Sequence, residues 1–411
     1  MLSRLFLRIA SGLLLCIGPS MQSIAESARD EVPDEHLLSP TPTTHGKIIE
    51  WLPFTDAAAL PSAARNLRVT YQSISEAGKT VLVTGTISIP VGAAPAAGWP
   101  VTTWAHGTTG LTSPCAPSRD TSRGPEHHFL GMHEKVMDDY VKRGYVVVAT
   151  DYEGFGAGGL HPFLQGASEA HGVLDIIRAA REIDPTIGTR YVVIGHSQGG
   201  QADLFAGALG PSYLPELKLL GNVALAPASH IGATLEAMMQ ASLPSYALGY
   251  AMYVLESFAA NHPSIQLDKI LTKEARDHLP ETMNSCITAT VSTGYWATAV
   301  PRDQFLPRAD IAPVLKVASE NEPNSLRIGV PTLVFQGTAD DTVVPAWTDD
   351  VVRYLCKGGA PLEYVVQPGA THESVLTAST DQMRVWVDAR FGGKIARSNC
   401  SSLPVASFPG K

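Results

Sequence analysis

The chain has 411 residues, 45% of them hydrophobic and 17% charged, with a formal net charge of −9. That length holds one large α/β domain with an insertion, or two ordinary domains, and the apolar fraction supports a sizeable core. The acidic balance and the lack of a long basic run argue against nucleic acid as a partner.

Residues 1–27, "MLSRLFLRIASGLLLCIGPSMQSIAES", place Arg4 and Arg8 before an apolar run and small residues after it. This order predicts a secretory signal peptide and export to the outside or the periplasm. The apolar run is shorter than the roughly 20 residues of a spanning helix. Leu15 is too bulky for Cys16 to be a lipoprotein cysteine. Without Cys16, four cysteines remain, an even number that in an exported chain favours two disulfides. Three connectivities are open. Cys356 and Cys400 share the terminal region, so we pair them, which leaves Cys115 with Cys286. Closing the loop between Cys356 and Cys400 would constrain the unfolded chain by about 4 kcal/mol.

A polar, Pro-containing leader precedes Thr80. "TVLVTGTISIP" (Thr80–Pro90) then alternates as a strand does, and "WPVTTWAHG" (Trp99–Gly107) forms another that ends in a Gly-containing turn. "YVVVATDYEG" (Tyr145–Gly154) is a continuous apolar run, expected of a strand buried on both faces. Residues Glu169–Ile183 carry a helical pattern. "RYVVIGHS" is the next strand, with a helix over Gln198–Leu209. "LKLLGNVALAPAS", "VPTLVFQGTADD" and "LEYVVQPGATHES" supply three more strands, and a helix follows from Glu373 to Arg390.

Apolar strands alternating with helices predict a mostly parallel sheet covered on both faces. Roughly 100 residues separate the strand ending near Ala228 from the one beginning near Thr332, too many for a simple crossover. This stretch includes "LEAMMQASLPSYALGYAMYVLESFAA", which reads as helical. We expect a core over residues 28–228 and 324–411, with a helical cap inserted over 229–323.

"GHSQGG" (Gly195–Gly200) lies between a strand and an Ala-rich helix. A Gly-x-Ser-x-Gly turn at that junction presents a serine hydroxyl on a sharp bend, and the helix aims its first amides at the same point. By chance the bare pattern occurs in roughly one chain in seven of this length, so the context carries the assignment. Ser197 is the expected nucleophile. A serine nucleophile needs a base, and the base needs a carboxylate to orient it. In this arrangement they follow in the order acid, then histidine. Asp340 and Asp341 come after one late strand, in "GTADDTVVP", and His372 comes after the last, in "GATHESV". Asp340 is preferred because it comes first after its strand. The backbone amides of Gln198 and Thr108 are the expected oxyanion donors. His106 and His196 are read as structural. His127, His128 and His133 form a loose cluster with Glu126 and Glu134 whose spacing suits a metal site on paper, but the region lacks a helical His-x-x-x-His, and no metal is expected.

Taken in order, "AHGTTG", "CAPS", "TDYEGFGAGGLHPFL", "VLDIIRAAREI", "GHSQGG", "GTADDTVVP" and "GATHESV" resemble the secretory lipase family over roughly Trp51–Phe391. The resemblance implies an α/β-hydrolase fold with a helical cap and activity on carboxylic esters, often acylglycerols, without a cofactor. It carries over Ser197, Asp340 and His372 as a triad, with Gln198 and Thr108 as oxyanion donors. Phe163 stands where many relatives have tyrosine. The expected partners are a small-molecule or lipid ester and, through the cap, transient contact with a lipid interface. A serine peptidase or amidase on the same fold, or a binding protein without chemistry, are the competing expectations.

Overall fold

Every strand of the one nine-stranded sheet falls within residues 45–404, the part of the chain that the computed structural model describes. In chain order the strands are β1 (Ile48–Pro53), β2 (Ala63–Ile74), β3 (Thr80–Pro90), β4 (Trp99–Ala105), β5 (Val146–Glu153), β6 (Ile187–His196), β7 (Lys218–Leu225), β8 (Thr332–Gly337) and β9 (Leu362–Gln367). Their spatial order is β1-β2-β3-β5-β4-β6-β7-β8-β9. The first three pair antiparallel, and β3 pairs antiparallel with β5. From β5 to β9 every pairing is parallel. The residues of the expected signal peptide lie outside the described part.

Two strands lie in the stretch read from sequence as a leader. β2 buries Leu67, Val69, Tyr71 and Ser73 at every second position, the period-2 signature of a half-buried strand. Intervening Arg, Asn, Thr and Gln hide that pattern from an apolar-run reading. The helices α1 (His127–Lys142), α2 (Gly166–Ile183) and α3 (Gln198–Tyr213) follow β4, β5 and β6. Between β7 and β8 come α4 (Ile231–Gln240), α5 (Ala247–Asn261), α6 (Lys273–His278), α7 (Pro280–Asn284), α8 (Ile287–Ser292), α9 (Tyr295–Thr298) and α10 (Ala312–Glu320). α11 (Pro345–Lys357) and α12 (Ser374–Phe391) complete the described chain.

β6 shows why the sheet is covered on both sides. Tyr191 and Val193 join the core formed with α2 and α3, while Val192 and Ile194 join the one formed with α1 and α12. Successive side chains of a strand point to opposite faces, so a continuous apolar run requires helices on both. The helices between β7 and β8 close around a further apolar core. There Leu248, Tyr253, Phe258 and Trp296 pack with Leu111, Phe163 and Leu164, which come from loops at the C-terminal ends of the parallel strands.

Two disulfides are formed, Cys115–Cys286 and Cys356–Cys400. The first joins the segment after β4 to the start of α8. Beside it the Ile287 amide donates to Thr109 O at 2.9 Å and the Thr112 hydroxyl to Met283 O at 2.9 Å.

Candidate active site

Four loops leave the C-terminal ends of β4, β6, β8 and β9 on one edge of the sheet, where ligands bind in open α/β sheets. They carry Thr108, Ser197, Asp340 and His372 respectively. Ser197 sits at the junction of β6 and α3 with φ 60° and ψ −120°. A non-glycine residue there is strained by about 1–3 kcal/mol, and such strain persists only where the surroundings enforce it. Here they do. The Ser197 amide donates to Leu225 O at 2.9 Å, and its carbonyl accepts from Gln201 N at 3.1 Å and Ala228 N at 3.0 Å. A Cβ at Gly195 would lie 1.9 Å from Gly199 O, and one at Gly199 would lie 2.0 Å from Ala105 O. The bend therefore closes only with glycine at both positions.

His372 bridges the other two residues. Its Nε2 lies 2.8 Å from Ser197 Oγ and its Nδ1 lies 2.9 Å from Asp340 Oδ2. A carboxylate oxygen accepts, so Nδ1 carries the proton and Nε2 is left to accept from the serine hydroxyl. Asp340 is fully buried. Burial alone would raise its carboxyl pKa, but the bond and charge of His372, with the amides of Val343 and Thr342, hold it below the ordinary value. Those amides donate to Oδ1 at 2.8 and 3.0 Å, and Gln336 Nε2 donates to Oδ2 at 3.1 Å. Asp341, the neighbouring candidate, is exposed and its carbonyl accepts from the Tyr246 hydroxyl.

The Gln198 amide opens α3 and the Thr108 amide lies in the loop after β4. Neither has an acceptor among the described residues, as expected for the first amides of a helix in the case of Gln198. The Gln198 side chain turns the other way. Its Nε2 donates to His161 Nε2 at 2.6 Å and Glu169 Oε1 at 2.7 Å, and both partners are fully buried. Sequence reasoning missed this anchor, for which "LHPFL" offers no spacing rule. It also left His196 without a task. The His196 ring is buried, and its Nε2 lies 2.8 Å from the backbone oxygen of His372.

The histidines of the loose cluster are not brought together. His133 packs in the core against Trp104, Phe129 and His196. His127 pairs with Asp120 at 2.6 Å, and His128 is exposed. Among the described residues no three His, Cys, Asp or Glu side chains are placed to hold a metal ion. His106 is buried under Tyr152 and Phe155.

Two cavities open at Ser197. One, of about 270 Å³, is walled by apolar residues that include Phe163, Leu164, Ile231, Leu235, Met238, Val254 and Trp347. The other, of about 390 Å³, is bordered by His372 together with Glu126, His128, Thr288, Ser292, Thr371 and Glu373. Thr108, Ser197, Tyr250, Asp341 and Thr342 border both.

A mostly parallel sheet covered on both faces, with serine, aspartate and histidine borne on the loops after β6, β8 and β9, defines the α/β-hydrolase fold. The solved structure of Candida antarctica lipase A superposes with a TM-score of 0.76 at 19% identity, over 88% of this chain and 86% of that one. A rice cell wall degrading esterase from Xanthomonas oryzae gives 0.69 at 17% identity, over 86% and 100%. The secretory lipase family model matches residues 128–399, and the chain belongs to that family. It is 29% identical over 299 residues to a secreted triacylglycerol lipase of Malassezia furfur, and 25% identical over 283 residues to a Candida albicans protein named Lipase 6. These alignments cover 68% and 65% of this chain but only 54% and 60% of those relatives. Among the described residues no helix is long and apolar enough to cross a membrane.

Proposed function

We propose that this protein is a secreted serine carboxylic ester hydrolase that works through an acyl-enzyme. The observation that carries the reading is the single imidazole of His372 within hydrogen-bond reach of both Ser197 Oγ and the buried Asp340 carboxylate. Ser197 Oγ attacks the ester carbonyl while His372 Nε2 takes its proton. Asp340 fixes the tautomer and stabilises the imidazolium. The amides of Gln198 and Thr108 receive the oxyanion. As the carbonyl re-forms, the bond to the alcohol oxygen breaks and His372 returns the proton to that oxygen. The Ser197 ester remains, and the alcohol departs. Water then repeats the sequence with His372 as base, releasing the carboxylic acid and restoring the serine. No step needs a cofactor.

The apolar cavity supports an acyl group as its occupant, and the family and its secreted triacylglycerol lipase relative support a lipid ester as substrate. Residues 1–27 serve as the export signal in this reading, residues 28–228 and 324–411 as the hydrolase core, and residues 229–323 as a cap that meets lipid. The test is hydrolysis of a p-nitrophenyl ester series beside the matching anilides, with fluorophosphonate labelling. Ester turnover and labelling that both vanish in Ser197→Ala are expected. Retention of more than about a hundredth of kcat/KM in that variant would overturn the nucleophile, and faster amide than ester cleavage would make the protein an amidase.

A further inference from the structure

The chemistry above imposes a direction on the two cavities. His372 must hand its proton to the departing oxygen, so the alcohol half of the ester has to sit on the His372 side of Ser197. Only the larger of the two cavities is bordered by His372. The acyl half is left with the apolar one. The two differ in kind. Where the acyl side presents leucine, methionine and aromatic rings, the alcohol side presents hydroxyls of Thr288, Ser292 and Thr371.

Charge divides them in part. Neither cavity is bordered by lysine or arginine, but the alcohol cavity is bordered by Glu126, Asp341 and Glu373 and the acyl cavity by Asp341 alone. Glu126 is buried and occupied: Thr288 N donates to its Oε1 at 2.9 Å and the Thr288 hydroxyl to its Oε2 at 2.7 Å. That pair fixes the start of α8 against the turn before α1 and shapes the cavity wall. Asp341 and Glu373 are exposed, and no cation of the described chain pairs with either. Their negative charge faces whatever occupies the cavity.

We propose that this cavity is the leaving-group subsite and that it selects polar alcohols, hydroxylated or cationic, against anionic ones. The proposal rests on the serine-hydrolase reading. A hydroxyl on the alcohol finds a donor or acceptor in Ser292 and acceptors in Thr288 and Thr371, whose own protons go to Glu126 and Ser374. A cation is drawn by Asp341 and Glu373. An anion meets two like charges with no lysine or arginine to offset them, and in a partly enclosed site such repulsion is less screened than at an open surface.

The experiment holds the acyl group at butyrate and varies one end of a three-carbon alcohol: propyl, 3-hydroxypropyl, 3-(trimethylammonio)propyl, and the ester of 3-hydroxypropanoate. All four pass through the same butyryl-enzyme. Differences in kcat/KM therefore report acylation and alcohol binding alone. The hydroxylated and cationic esters are expected to exceed the anionic one at least tenfold. Glu373→Lys is expected to shrink that gap at least threefold. Ser292→Trp, at an exposed position on the rim, is expected to raise KM for the hydroxypropyl and trimethylammoniopropyl esters more than for methyl butyrate. Equal kcat/KM across the four esters, or an anionic ester that is best, would overturn the subsite while leaving the hydrolase reading intact. If no butyrate ester is cleaved and Ser197 takes no fluorophosphonate, the hydrolase reading itself fails, and the subsite with it.

Discussion

His196 Nε2 donates a hydrogen bond to the backbone carbonyl of His372 at 2.8 Å, so the residue beside the candidate nucleophile holds the loop of the candidate base. The donor role is dictated by chemistry, since a carbonyl oxygen only accepts. Burial, with the nearby His372, depresses the His196 pKa to about 3, and the ring stays neutral at working pH. The two rings also meet directly, with centroids 4.7 Å apart. We expect His196→Phe to lower kcat at least tenfold with KM changed less than twofold, because a ring of similar size remains but the tether is gone. His196→Gln, which restores a donor, should recover most of the loss. Equal kcat for the Phe variant and wild type would show that the tether does nothing.

Asp340 and Asp341 are adjacent in sequence and opposite in environment. Four hydrogen bonds converge on the buried Asp340 carboxylate, whereas Asp341 lies exposed. Asp340→Asn would present an amide that disrupts the His372 tautomer, and a loss of about a thousandfold or more in kcat is expected. Asp341→Asn should cost less than tenfold on a neutral ester. Steady-state kinetics of the two variants decide the order, and the reverse order would move the acid to Asp341.

Acid should destabilise the fold through its buried histidines. Burial holds His133 well below the ordinary value of 6.5, aided by His196, His106 and His372 nearby. Its folded pKa is depressed, so below pH 6.5 the unfolded chain gains a proton that the folded chain refuses. Stability from this group is thus present above pH 6.5 and falls as the pH drops, by up to about 1.4 kcal/mol per unit. Asp151 and Glu126, raised by burial, act in the opposite sense. The informative quantity is therefore a difference. Urea unfolding of His133→Phe and wild type between pH 4.5 and 7.5 should show the flatter acid limb in the variant. Parallel limbs would mean that His133 is protonated in the folded protein.

The apolar cavity sets an acyl-length dependence. Each buried methylene contributes about 0.8 kcal/mol, equivalent to roughly a fourfold gain in kcat/KM. Activity on p-nitrophenyl esters is expected to rise from acetate to at least hexanoate and then level as the 270 Å³ is filled. Val254→Phe, which intrudes on the cavity wall, should bring the plateau to shorter acids. A steady fall from acetate to hexanoate below the solubility limit would mean that the acyl group lies elsewhere.

Much of this protein is written locally. The continuous apolar run of β5 and the run before Ser197 demand burial on both faces, and a parallel sheet is the arrangement that supplies it. Gly195 and Gly199 flank Ser197 because the turn has no room for a Cβ, and that requirement is visible as Gly-x-Ser-x-Gly. The order serine, aspartate, histidine follows from strand order, since each residue lies just beyond its own strand. What the tertiary structure alone decided is which groups meet across long separations. β2 escaped notice because its polar alternate positions lower its apolar density, although the sheet buries its other face. The His196–His372 tether, the hold of Glu169 and His161 on Gln198, and the clasp of Thr288 on Glu126 join residues with no local spacing rule between them. Hydrogen bonds of that kind exist only once the helices between β7 and β8 and the loops at the strand ends have packed. The contrast between the two cavities at Ser197 is likewise a property of the assembled walls, to which α1, α4, α5, α8, α11 and the loops after β4, β5, β7, β8 and β9 contribute side chains.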